Sequence, residues 1–238
     1  MKLAVFYHLY IHPVEYQLFN QWPLWIDEQL GAIESSKLSQ VADINICIVM
    51  PKYHHLVFME RPYQDVVLEY INDRYPFARV IDIRDHSEPN IHEGQTLSHL
   101  HRYCANNDGA VLYMHTKGIT RVNVPTMHDW RRYLQHFMIT CWQSCIQKIP
   151  DYDIVTVKSE SLGNFWWANN SFIRSLSDPL YSSMYLPDKP HLWEGTPEYR
   201  YAFELWSIKN ANICYIHDSG SVVHYTQFHS PKLYRYLG

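Results

Sequence analysis

The sequence predicts an α/β protein with a mostly parallel central sheet flanked by helices, built as one domain spanning residues 1–238. Three observations lead there. Short apolar runs alternate with amphipathic stretches through the first half of the chain, which implies right-handed crossovers between parallel strands. The run Ile44 to Met50 is apolar enough for a strand buried on both faces of a parallel sheet. No repeat, low-complexity segment or linker interrupts the chain.

The elements follow in order. Leu3 to Tyr10 is the first strand, ended by His12-Pro13. An aromatic loop comes next with Tyr16, Phe19, Trp22 and Trp25, either a local cluster or a cover over a ligand. Leu24 to Leu38 reads as a helix with Ile26, Leu30 and Ile33 on one face. Ile44 to Met50 is a second strand, closed by Pro51. Pro62 opens a helix through Tyr75, with Val66, Val67, Tyr70 and Ile71 inward. Arg79 to Arg84 is the third strand, and Glu93 to Tyr103 a helix with Leu97, Leu100 and Cys104 at helical spacing.

Asn106-Asn107-Asp108-Gly109 ends that helix, and Val111 to His115 is the fourth strand. Thr126 to Asp129 has the form of a capping box for a long helix reaching Lys148. Asp153 to Val157 is a fifth strand and Gly163 to Ala168 another extended segment; Asn169-Asn170-Ser171 can cap a short helix through Leu176. Thr196-Pro197-Glu198 starts a helix running to about Lys209, and Ile213 to His217 is a late strand.

Bulk properties bound the function. Hydrophobic residues at 47% and charged residues at 18% describe a globular chain, and a net charge of -4 gives no drive toward nucleic acid. No apolar run reaches ~20 residues, so no transmembrane segment is expected. Met1 to Tyr7 is too short for a signal sequence, and five cysteines without a C-x-x-C pair suggest a reducing compartment, hence the cytoplasm. Fifteen histidines are scattered and spell no H-E-x-x-H. Aromatics at 15% fit either a Tyr-rich core or a face on which sugar or nucleobase stacks.

The site is expected where Val111-Leu112-Tyr113-Met114 runs into His115-Thr116-Lys117-Gly118. In open α/β sheets ligands bind outside the carboxyl ends of the strands. His115, Thr116 and Lys117 bring a ring nitrogen, a hydroxyl and a cation there, and Gly118 lets backbone approach a ligand. That set suits an anionic, phosphate-bearing ligand. Arg131 and Arg132 fall in the first turn of the expected long helix, where the dipole disfavours cations by ~0.3–1 kcal/mol. A phosphate, a carboxylate, or a salt bridge with Asp129 or Glu160 would offset this. No G-x-G-x-x-G follows the first strand.

Two stretches of the chain resemble nucleotide-sugar glycosyltransferases of the GT-A type, a Rossmann-like fold. The first runs from Glu93-Gly94-Gln95-Thr96-Leu97 to His115-Thr116-Lys117-Gly118, matching the helix and buried strand that precede an Asp-x-Asp motif in those enzymes. The second is Gly163-Asn164-Phe165-Trp166-Trp167-Ala168 with Phe203-Glu204-Leu205-Trp206, similar to their acceptor-side segment. His-Thr-Lys-Gly with Gly-Asn-Phe-Trp-Trp is also similar to polysaccharide-building glycosyltransferases. The resemblance implies a nucleotide-sugar half at 1–118 and an acceptor half at 119–238. It implies a nucleotide-sugar donor and a glycan or lipid-linked acceptor, with the protein at most peripheral to a membrane.

The chain departs from that family where Asp-x-Asp is expected. Asp151-Tyr152-Asp153 spells the pattern but reads as the turn into a strand. Without paired hard oxygen ligands, Lys117 is expected to stabilise the leaving diphosphate, helped by Arg131 or His224, with no cofactor; Mn²⁺ or Mg²⁺ is the alternative, which His217 and His224 leave open. The resemblance also makes Glu204 the candidate base, with Glu194 and Glu198 as rivals and an ordinary surface acid as the plain reading. Gly163, Asn164, Trp166 and Trp167 would meet the acceptor, although adjacent strand residues face opposite ways, so at most one tryptophan can. The competing function is a non-catalytic carbohydrate-binding protein on a degenerate transferase fold. A nucleotidyltransferase or phosphatase would need a clustered acidic metal site.

Overall fold

A computed structural model describes residues 1–11, 22–50, 62–85, 93–116, 125–158, 165–180, 203, 206–208 and 210–218. The strands are β1 (Lys2–Tyr10), β2 (Ala42–Met50), β3 (Ala78–Asp85), β4 (Gly109–His115), β5 (Ile154–Lys158), β6 (Trp166–Asn169) and β7 (Ile213–Asp218). The helices are α1 (Trp22–Ser35), α2 (Tyr63–Arg74), α3 (Gly94–Asn106), α4 (Pro125–Gln135), α5 (Trp142–Lys148) and α6 (Asn170–Ser175). All seven strands form one sheet in the order β3-β2-β1-β4-β6-β5-β7. The expected mostly parallel sheet is present: β6 runs against β4 and β5, while the pairs β1–β2, β2–β3, β1–β4 and β5–β7 are parallel.

Strand polarity and burial follow from composition. Residues 3–9 of β1 and 44–50 of β2 are buried without alternation, because helices cover both faces of the sheet. On one face Val5, Tyr7, Leu112 and Met114 pack with Ile26 and Leu30 of α1, Val67 and Ile71 of α2, and Trp130 and Leu134 of α4. On the other, Ala4, Phe6, Val111 and Tyr113 pack with Leu97, Leu100 and Cys104 of α3, Ile173 of α6, and Phe203 and Trp206.

Several expectations need correction. Trp22 and Trp25 do not sit in a loop: they are the buried opening turn of α1, with Trp22 edge-on to Tyr63 and Tyr70 of α2. Tyr16 and Phe19 lie outside the described residues. Thr126 is not an N-cap: it is the second residue of α4, and it is buried. The helix expected to run unbroken to Lys148 is interrupted by a π-helical turn at His136–Thr140. That turn widens the helix by a residue, and Phe137, Met138 and Ile139 are all buried in it. The helix expected from Thr196 to Lys209 lies outside the described residues except Phe203 and 206–208.

Gly109 and Gly94 each have a steric reason. Gly109 begins β4 at φ 141, and a Cβ there would fall 1.9 Å from the Lys2 carbonyl oxygen. At Gly94 a Cβ would lie 2.6 Å from the Phe203 ring, so glycine lets Phe203 seal the start of α3.

Candidate functional site

The chain leaves β1 toward β2 and β3 on one side, then returns to place β4 on the other. The crevice between the carboxyl ends of β1 and β4 is therefore the topological switch point of the sheet, where ligands of open α/β folds bind. His115 and Thr116 stand there, with His8 of β1 directly across from His115 in the parallel ladder.

A polar row crosses four strands at this level. Asp82 of β3 pairs with Cys47 of β2, Cys47 with His8, and His8 with His115. α3 meets the row through side chains spaced three apart. His99 Nε2 lies 3.1 Å from Asp82 Oδ2, Thr96 Oγ1 2.9 Å from His8 Nδ1, and Glu93 Oε1 3.3 Å from His115 Nδ1. Burial pushes the Cys47 thiol up to about 12, despite a hydrogen bond with Thr96, so it is an inert neighbour and not a nucleophile.

Glu93 is the one charged carboxylate among the buried described residues. Burial works to raise its pKa, but the charge and hydrogen bond of His115 override this, aided by His8 and Tyr113, and hold it well below the usual carboxylate range. The His115 ring stacks on Tyr113, whose ring lies against Trp166, and meets the edge of Phe165. Thus the imidazole is held by an aromatic column on one side and a carboxylate on the other.

Below the opposite face, two consecutive residues of α1 brace the exit of β4. Gln29 donates from Nε2 to the His115 carbonyl at 3.0 Å and accepts from the Tyr7 hydroxyl. Glu28 receives a bidentate pair from Arg131 at 2.8 and 3.0 Å, and also a bond from Gln135 at 3.0 Å. Burial raises the Glu28 carboxyl, but the Arg131 hydrogen bond and charge, with Arg132 and Gln135, bring it below its ordinary value.

The expected site residues separate accordingly. His115 stands at the switch point as foreseen. The Thr116 hydroxyl is engaged in structure: it accepts from Tyr10 N at 2.9 Å and donates to Tyr10 O at 3.2 Å, while Thr116 N donates to His8 O. This extends the β1–β4 ladder by one residue and ties the ends of the two strands together.

Arg131 is 2% exposed and lies in the second turn of α4, beyond the reach of the dipole argument; the carboxylate that compensates it is Glu28, not Asp129. Glu160 lies outside the described residues. Trp166 and Trp167 are both buried, on opposite faces, and Trp167 Nε1 donates to Met138 O at 2.8 Å. Neither tryptophan ring forms an exposed stacking surface. Lys117, Gly118, Gly163, Asn164, Glu194, Glu198, Glu204 and His224 lie outside the described residues.

Sequence reasoning missed Glu93, Thr96, His99 and His8. Their signal was legible as a polar stripe at 93, 96 and 99 beside the apolar stripe of Leu97, Leu100 and Cys104.

A divalent metal of the kind that Asp-x-Asp holds does not fit the described end of β4. Glu93 is committed to His115, and the Thr116 hydroxyl to Tyr10. Among the described residues no group of three or more His, Cys, Asp or Glu could hold a metal ion. Asp151-Tyr152-Asp153 is the turn entering β5, with Asp153 Oδ2 accepting from Asn212 N at 2.9 Å. His217 pairs with the Tyr133 hydroxyl and stacks on Phe137.

Fold and site together define an α/β protein with a seven-stranded, mostly parallel sheet, compatible with a Rossmann-like architecture, and a buried polar row at its switch point. The chain belongs to the family described as Domain of unknown function (DUF8361), whose model matches residues 6–186. That span runs from β1 through α6 and contains the whole polar row. No curated protein matches the chain.

Proposed function

We propose that the protein is a GT-A-type glycosyltransferase that moves a sugar from a nucleotide-sugar donor to a hydroxyl of a glycan or lipid-linked acceptor, in surface polysaccharide or glycoconjugate synthesis. The observation that carries this reading is the position of His115-Thr116 at the switch point, directly preceding Lys117-Gly118. The resemblance supplies the reaction; its two stretches fall in the α3–β4 and β6–α6 units.

Sugar transfer requires a stabilised leaving diphosphate, a deprotonated acceptor and alignment of the two. Lys117 serves the first as a point charge, needing no metal, and His115 stands two residues before it at the switch point. Thr116 contributes by anchoring the start of the loop to β1. Glu204 serves as base toward the acceptor hydroxyl. Arg131 drops out of the diphosphate group because its charge is matched by Glu28. Trp166 and Trp167 are buried, so neither the acceptor contact expected of them nor a tryptophan-lined sugar face of the carbohydrate-binding alternative has an open surface there.

The test is thermal unfolding with nucleoside diphosphates and nucleotide sugars, in EDTA or Mn²⁺, on wild type and Lys117→Ala. Ligand at 100 times Kd stabilises the fold by ~2.7 kcal/mol. The expected result is a shift in EDTA that disappears in Lys117→Ala. A shift confined to Mn²⁺ would overturn the metal-free mechanism, and no shift with any nucleotide would overturn the transferase reading.

A further inference from the structure

The Glu93 side chain is not used on its own helix. Glu93 occupies the N-cap position of α3, yet its carboxylate makes no capping bond and turns instead to His115 on β4. Burying a carboxylate there is costly unless it is paired, and a glutamine or leucine would fill similar space without the cost of a buried charge. The pair is almost buried: Phe203 closes over Gly94, and Phe165 and Tyr113 pack against the imidazole. Among the described residues the charged and titratable groups around it are His8 from β1, Tyr113 and His115 from β4, and Cys47 from β2 one strand further on.

We propose that Glu93 is a positioning residue which, by accepting the Nδ1 proton of His115, fixes the tautomer and tilt of that ring and so sets how the diphosphate of a nucleotide sugar is received at the switch point. The ligand in this statement rests on the glycosyltransferase reading; the pair itself does not. A carboxylate on Nδ1 selects the tautomer with the proton on that nitrogen and places the imidazole's remaining acid–base chemistry on Nε2. Glu93 acts through His115 and touches no ligand.

The experiment is a long-range ¹H–¹⁵N correlation of the histidine rings in the full chain, with His115 assigned by its loss in His115→Gln. Wild type is expected to keep the proton on Nδ1 when the ring is neutral, and Glu93→Gln to shift both ring nitrogens. Uridine, guanosine, adenosine and cytidine diphosphates are then titrated by calorimetry, and Glu93→Gln is expected to weaken the diphosphate that binds by tenfold or more at pH 7.

A neutral wild-type ring protonated on Nε2 overturns the proposal and needs no variant to fold. Ring shifts unchanged in a folded Glu93→Gln overturn it too, even where the melting temperature falls, since that is what a merely structural carboxylate would give. Shifted rings without binding of any diphosphate to wild type support the positioning role and refute the transferase reading.

Discussion

At the scale of single residues, the decisive groups are charged side chains removed from water. Arg131 is almost fully buried, and its guanidinium fork fits Glu28 with two bonds. Removing one partner of a buried pair costs ~3–5 kcal/mol, and Glu28 keeps some access to water, so Arg131→Ala is expected near the lower end of that range in urea unfolding. Arg131→Lys keeps the charge but loses the fork and should fall between the two.

Glu28 and Glu93 also link stability to pH. Both carboxyls are held below the ordinary 4.5, so their contribution is full above that pH and is lost as the pH falls toward the folded values. Melting temperatures should therefore drop increasingly steeply below pH 4.5, and Glu28→Gln should show a shallower slope. The site itself was half legible at this scale. His115 could be placed from the strand pattern, but its partner could not, because Glu93 is 22 positions earlier in the sequence and meets it only through the packing of α3 on β4.

Among the elements, ends and interruptions carry the specificity. Gly109→Ala must fit a Cβ against the Lys2 carbonyl in a backbone region that side chains avoid, so a loss exceeding ~1–3 kcal/mol is expected from strain alone before the clash is added. Hydrogen exchange should show the amino ends of β1 and β4 loosening together. Asn169 caps α6 by accepting from Ser171 N at 3.0 Å, and Asn169→Ala should cost ~1 kcal/mol by chemical denaturation. That cap was readable from sequence because capping is local. The π-turn at His136–Thr140 was not: apolar spacing continues through it, and the extra residue is tolerated because Phe137, Met138 and Ile139 find partners in the core. Thr126 misled for a related reason, since Pro125 already starts the helix one residue earlier.

For the whole molecule, the sheet order matters more than any one strand. β1 lies between β2 and β4, so one crossover pair covers one face with α1 and α2 while α3 covers the other. Trp130 ties these layers on the α1 face, fully buried and stacked on Tyr133. Trp130→Ala should cost ~3–5 kcal/mol, measured as a fall in the denaturation midpoint with an unchanged slope. No described helix is long and apolar enough to cross a membrane.

The sequence by itself determined which segments are strands and helices, because side-chain periodicity and end signals act within a few residues. It also placed His115 at the end of the fourth strand. Tertiary structure decided what those residues meet. It turned Arg131 toward Glu28, committed the Thr116 hydroxyl to Tyr10, buried both tryptophans of β6, and matched α3's polar stripe to four strands. Such pairings join residues up to 107 positions apart, as in Gln135 to Glu28, and depend on the sheet order that local periodicity does not encode.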